Sequence, residues 1–167
     1  NCCTSIKQRL SFAQKAFNVT ANYEYNITTY FNSTNTENSK TPNTFRQNIL
    51  SSKKLRYGEN PHQDGVYYGE LNELFDQLNG KELSYNNLLD IDAAVSLIEE
   101  FEEPSFGILK HNNACGFASN KNLEHAWDQA LAGDPISAFG GVLITNNNID
   151  LKIAKKINTL FFEVLIA

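Results

Sequence analysis

The chain has 167 residues, a net charge of -5, an isoelectric point near 5.2 and 41% hydrophobic residues. That suffices for a core of ordinary domain size, and it is the wrong charge for a general nucleic-acid binder, whose footprint is basic. No apolar run approaches the ~20 residues a membrane span requires. The first fifteen residues lack the apolar segment of a secretion signal, and three cysteines, two of them adjacent at Cys2 and Cys3, make a poor disulfide framework. A cytoplasmic protein without membrane or nucleic-acid partners is expected.

In chain order, Ile6, Leu10, Ala13 and Phe17 recur at helical spacing, and a second helix is expected from Thr20, whose hydroxyl can cap it, to Phe31. Three matches to the glycosylation sequon, at Asn18, Asn26 and Asn32, are chance products of an Asn-rich stretch without a secretion signal. Asn32 to Asn43 is polar and reads as an exposed linker. Val66-Tyr67-Tyr68 reads as a short strand. Ser84 to Phe101 reads as an amphipathic helix with Leu88, Ile91, Ala94, Val95 and Ile98 on one face. Strand Phe106 to Lys110 is expected to end in a loop over Asn112 to Gly116. Helix Leu123 to Leu131, strand Val142 to Thr145, helix Leu151 to Leu160 and strand Phe162 to Ile166 follow. Such alternation implies an α/β fold with a largely parallel or mixed sheet covered by helices.

Three segments carry chemistry. Lys110-His111 sits where an apolar run gives way to small residues, and in open α/β folds ligands bind outside the carboxyl ends of strands. A cation and an imidazole there suit a reaction that removes a proton and stabilises developing negative charge. Only three of the 14 basic residues are Arg, and Arg56 lies in the turn-forming segment Arg56-Tyr57-Gly58-Glu59-Asn60-Pro61-His62-Gln63, where its planar fork suits a phosphate. Gly133-Asp134-Pro135-Ile136-Ser137-Ala138-Phe139-Gly140-Gly141 allows close backbone approach to a ligand, with Phe139 as a flat face for a heterocycle. His111 with Cys115 invites a zinc reading, but a zinc site needs three or four protein ligands and the paired motifs of zinc deaminases are missing, so no metal is expected and Cys115 reads as a packed thiol.

Together, R-Y-G-x-N-P-H-Q, G-K-E-L-S-Y-N-N, K-H-x-N-x-C-G and D-P-I-S-A-F-G-G, in this order, closely resemble the bifunctional aminoimidazole-carboxamide ribotide formyltransferase/IMP cyclohydrolase family of purine biosynthesis. The resemblance implies that residues 1–31 are the last helices of a methylglyoxal-synthase-like cyclohydrolase domain. Residues 32–54 would be a linker, and 55–167 the opening part of a cytidine-deaminase-like formyltransferase domain. A chain that starts at Asn1, contains no Met and stops in an apolar run is expected to be a central fragment, inactive by itself, of a longer homodimeric parent.

The implied reaction moves a formyl group from the co-substrate 10-formyltetrahydrofolate to the 5-amino group of the ribotide. The resemblance assigns His111 as proton acceptor and ribotide contact, and Lys110 as the positive charge near the folate. Arg56 and Tyr57 would grip the ribotide, and Gly140 would offer it a backbone contact. Ile136 and Phe139 would line the folate pocket. Glu163 matches an acidic nucleotide contact, with a solvated charge at a strand start as its other reading. One departure is Ala114, where relatives commonly have Pro, which loosens the turn after His111. Two rival classes stand beside this reading: a non-catalytic nucleotide-binding module and a zinc deaminase-like hydrolase.

Overall fold

The computed structural model describes residues 3–34 and 47–167, which divide into two compact units at Ser51/Ser52. The first unit is dominated by one helix, α1 (Ile6–Thr34), none of whose residues is buried. Ser5 and Gln8 start it with a reciprocal cap: the Ser5 amide donates to Gln8 Oε1 at 2.8 Å and the Gln8 amide to Ser5 Oγ at 3.2 Å. The break expected at Thr20 does not occur. Its hydroxyl donates to the Phe17 carbonyl one turn back, 3.2 Å away, so it is satisfied inside the helix instead of capping a new one. With neither Gly nor Pro between Ile6 and Thr34, nothing ends the helix earlier. It runs through Asn32 to Thr34, and much of the expected linker lies outside the described residues.

The second unit opens with β1 (Ser52–Lys54), which pairs antiparallel with β2 (Val66–Tyr68) and so draws the end of the expected linker into a small sheet. Its main body is α2 (Tyr85–Ile98), β3 (Ser105–Lys110), β4 (Asn113–Ser119), α3 (Leu123–Gly133), β5 (Gly141–Thr145), α4 (Leu151–Ile157) and β6 (Phe162–Ile166). The main sheet has the order β4-β3-β5-β6. β3 is antiparallel to both β4 and β5, while β5 and β6 are parallel. The α/β class and mixed sheet agree with the sequence reading.

The sheet carries one apolar cluster on each face. On one, Phe106, Ile108 and Leu143 meet Trp127 and Ala130 of α3 and Ile153 and Ile157 of α4, with Phe106 and Trp127 edge to face at 5.0 Å. On the other, Leu109, Val142 and Ile144 meet Ile91, Ala94 and Ile98 of α2. α3 approaches β4 so closely that a Cβ on Gly116 would lie 1.9 Å from the Ala130 carbonyl oxygen. Ion pairs from Lys152 and Lys156 of α4 to Glu124, and from Lys156 to Asp128, join the outer surfaces of α3 and α4.

The loop expected over Asn112 to Gly116 is instead a turn and a strand. His111 and Asn112 are the two central residues of a tight hairpin, both with positive φ (51° and 65°), and β4 begins immediately after them. Two positive values define the turn type whose twist matches paired strands, and Asn tolerates it well. Because β3 opposes its three companions, its carboxyl end lies beside the amino ends of β4, β5 and β6. The Lys110-His111 pair therefore lies at the carboxyl end of one strand only.

Candidate functional site

The sheet edge bearing Lys110 is built from side chains that bridge distant segments. The Lys110 ammonium donates to the Phe139 carbonyl at 2.7 Å, drawing the loop before β5 against the end of β3. That loop is organised by Asp134, whose Oδ1 accepts from the Ile136 and Ser137 amides and whose Oδ2 accepts from the Ser137 hydroxyl at 2.6 Å. The Ser137 hydroxyl and amide hold the Asp134 carboxyl below the usual carboxylate range. Lys110, His111, Asn113, Ala114, Cys115 and Ser137 line a cleft of about 320 Å³. Beside it the loop leaves Ile136 88% and Phe139 59% exposed, and Phe139 pairs with Phe161 at a ring distance of 5.2 Å.

Gly140 has φ +72, a conformation that favours glycine, and its amide donates to the Phe161 carbonyl at 2.8 Å. This fastens the loop to the start of β6. Any ligand contact from Gly140 must therefore use something other than that N–H.

Glu163 follows at once, on a bulge. The β5–β6 register runs from Gly141↔Phe162 to Val142↔Val164 and skips Glu163. Bulges re-aim side chains, and this one turns a carboxylate toward α2, where Asn87 Nδ2 donates to Glu163 Oε2 at 2.6 Å. Asn87 itself is buried, with its Oδ1 accepting from the Ser84 amide and hydroxyl in a capping box that starts α2. A second bulge lies in β4: Ile108 faces Gly116 and Leu109 faces Ala114, leaving Cys115 unpaired in the ladder. The Cys115 thiol donates to the Ile108 carbonyl at 3.4 Å, and burial pushes its pKa up, which favours the neutral thiol over a thiolate. Among the described residues no three His, Cys, Asp or Glu side chains could share a metal ion, and no helix is long and apolar enough to cross a membrane.

Arg56 and Tyr57 occupy the loop between β1 and β2. The Arg56 amide donates to the Leu83 carbonyl and the Tyr85 amide to the Tyr57 carbonyl, both at 3.2 Å, which fixes the pair to the start of α2. Arg56 Nη2 donates to the Tyr57 hydroxyl at 2.9 Å, and the guanidinium carbon lies 4.8 Å from the ring centroid. The fold thus places Lys110, His111 and Ser137 around one cleft. Phe139 and Gly140 are tied to it through the loop, and Arg56, Tyr57 and Glu163 are tied to the amino end of α2 without lining the cleft.

Sequence reasoning missed Asn87, Asp90 and Ser137. The Asp90 carboxylate accepts from the Asn112 amide at 2.6 Å, in the middle of the hairpin turn. The one available signal was Ser84-x-x-Asn87 followed by an acid on the same helix face.

The fold and this cleft define an α/β protein with an imidazole and an ammonium beside one pocket at the end of its mixed sheet, and with an Arg and an oriented carboxylate fastened to the start of α2. The AICARFT/IMPCHase bienzyme family model matches residues 1–167, and the chain belongs to that family. It is 54% identical over 164 residues to the bifunctional purine biosynthesis protein PurH of Bacteroides thetaiotaomicron, a match covering 98% of this chain and 31% of that protein. To the PurH of Natranaerobius thermophilus it is 42% identical over 161 residues, or 95% and 31% of the two chains. To that of Persephonella marina it is 41% identical over 171 residues, or 98% and 33%. The chain spans about a third of the length of these curated relatives.

Proposed function

We propose that this chain carries the acid–base half of a formyl-transfer site in purine biosynthesis, moving a formyl group from 10-formyltetrahydrofolate to the 5-amino group of aminoimidazole carboxamide ribotide. The observation that carries the reading is the family match across residues 1–167 together with a Lys110-His111 turn held at the mouth of a cleft. The amine is a weak nucleophile, because its lone pair is delocalised into the ring and toward the carboxamide. As its nitrogen bonds to the formyl carbon, His111 accepts the proton, and imidazole is the side chain suited to that exchange near neutral pH. The carbon–nitrogen bond to the folate then breaks, and the departing nitrogen takes up a proton.

Lys110 supplies positive charge to the oxyanion and the leaving nitrogen. Its ammonium is held toward the Ile136–Phe139 loop, the apolar surface assigned to the folate. Arg56 and Tyr57 receive the ribotide phosphate, Glu163 accepts hydrogen bonds from ribose or amine groups, and Gly140 adds a backbone contact. In this reading residues 55–167 open a cytidine-deaminase-like domain, and residues 1–31 belong to a methylglyoxal-synthase-like domain whose cyclohydrolase activity resides in the full-length protein, a cytoplasmic homodimer.

The test is His111→Ala in the full-length protein, assayed for both reactions. Formyl transfer should fall about 100- to 10,000-fold in kcat while IMP cyclohydrolase activity persists. A kcat within a few-fold of wild type would overturn the assignment. Ribotide binding without formyl transfer by the wild type would point to a non-catalytic module, and tightly bound stoichiometric zinc to a hydrolase.

A further inference from the structure

We infer that one face of α2, presented by Asn87 and Asp90, is the positioning element of the site, with Asp90 aiming His111 and Asn87 aiming Glu163. The inference deepens the formyl-transfer reading and rests on it. Asn87 and Asp90 are three residues apart on a helix, so they lie on the same side of it and one turn along from each other. Their contacts go to different strands: Asn87 Nδ2 donates to Glu163 Oε2 on β6 at 2.6 Å, and Asp90 Oδ1 accepts from the Asn112 amide in the β3–β4 turn at 2.6 Å.

The second contact is the more telling. In a two-residue hairpin the closing hydrogen bonds link Lys110 and Asn113, and the amide between the two central residues has no partner within the turn. Asp90 supplies one, and an ionised acceptor makes the bond short and strong. The residue preceding that amide is His111, held at φ 51, where a side chain with a Cβ is strained. Strain of this kind persists only where surrounding contacts over-determine the backbone, and it clusters at functional sites. The Asp90 strut is such a contact, fixing the peptide plane that links His111 to Asn112 and with it the direction in which the imidazole leaves the chain. On β6, Glu163 is skipped by the β5–β6 ladder, so pairing alone does not orient it. Asn87 does, and it is locked in turn by Ser84, which is fully buried.

Neither residue touches the reacting atoms in this scheme. Asp90 acts through a proton acceptor and Asn87 through a binding group, so their removal should separate in the kinetics. In the full-length protein, Asp90→Ala should lower kcat of formyl transfer about 10- to 100-fold with both KM values within about three-fold of wild type, the cost of a misplaced base. Asp90→Asn keeps an oxygen that can accept the Asn112 amide and should recover to within about five-fold of wild-type kcat. Asn87→Asp preserves the acceptor that Ser84 needs but replaces the donor to Glu163 with a like charge. It should raise KM for the ribotide about ten-fold and leave kcat within about three-fold.

Thermal midpoints of all three variants, and hydrogen exchange at the Asn112 amide in the two Asp90 variants, complete the experiment. Exchange should quicken in Asp90→Ala and much less in Asp90→Asn. An active wild type with normal kcat in Asp90→Ala overturns the role of Asp90. Equal losses in Asp90→Ala and Asp90→Asn do the same, since they show that accepting the amide is not what matters. An unchanged ribotide KM in Asn87→Asp overturns the role of Asn87. A wild type without formyl transfer overturns the underlying reading and this inference with it.

Discussion

His111 is held in a left-handed conformation with its side chain exposed, so its backbone cost and its chemistry can be separated by substitution. In Ala the left-handed cost of about 1–2 kcal/mol remains and no imidazole is left. In Gly that cost vanishes, offset by about 0.5–1 kcal/mol of extra chain entropy lost on folding. Exposure means that neither variant forfeits much buried area. His111→Gly should therefore be the more stable of the two by about 0.5–1 kcal/mol, even though both lack the imidazole. Trp127, the single tryptophan, is buried in the core beside Phe106 and reports unfolding of the second unit by its fluorescence. With a urea dependence of about 2 kcal/mol per molar, the midpoints of the two variants of the 167-residue chain should differ by about 0.25–0.5 M. Equal midpoints, or a lower one for Gly, would show that the turn does not impose the strain assigned to His111.

Lys110→Arg keeps the charge but should not restore turnover. The broad guanidinium cannot reproduce a compact ammonium donating to the Phe139 carbonyl, and a loss of about 100-fold in kcat of the full-length protein is expected; near-normal turnover would reduce Lys110 to a general electrostatic role. Gly116→Ala would place a Cβ 1.9 Å from the Ala130 carbonyl oxygen, and since that neighbour is backbone, α3 must retreat from β4. A loss of about 3 kcal/mol is expected in the Trp127 unfolding curve, and a change below about 0.5 kcal/mol would refute the close packing. Ala114→Pro should be tolerated and should stabilise by about 0.4–1 kcal/mol in the same measurement. Ala114 faces Leu109 one step beyond the hydrogen-bonded turn pair, on an edge strand, where its N–H is not needed by the ladder; destabilisation would mean that it is.

The elements with strong apolar patterning were legible in the sequence: the run Phe106 to Lys110, the run Val142 to Thr145 and the amphipathic stretch after Ser84 all occur close to where their residues place them. β4 was not legible, because Asn113-Ala114-Cys115-Gly116-Phe117-Ala118-Ser119 has no apolar alternation and only one bulky residue, Phe117. It is a strand because β3 offers it a ladder and because Gly116 lets α3 lie against it. The phase of β6 was equally hidden. Phe162 and Val164 share a parity yet join the clusters on opposite faces, since the bulge at Glu163 shifts the alternation between them. The Lys110-His111 pair could be singled out as a candidate from residue type and position, whereas Asn87 and Asp90 left only a capping pattern that gives no hint of their distant partners. Their importance lies in contacts 76 and 22 residues away along the chain, which local pattern does not encode.

That difference in reach also sets an order of assembly. The hairpin bearing His111 closes between neighbours in the chain, and its Asp90 strut is synthesised before it. The placement of Glu163 waits for β6, which joins β5 in parallel only after α4 has crossed over, and for a contact back to Asn87. Hairpins form in about 1–10 μs, while parallel pairing must first close a longer loop. At about 5–20 residues per second, a ribosome releases Glu163 some 3–10 s after His111. For the last part of that interval, once β5 has been made, the nascent chain holds a formed turn beside a β5 edge that still lacks β6. A defect in the hairpin therefore burdens the protein from early in its synthesis, whereas a defect at Asn87 or Glu163 acts on a sheet that is otherwise built.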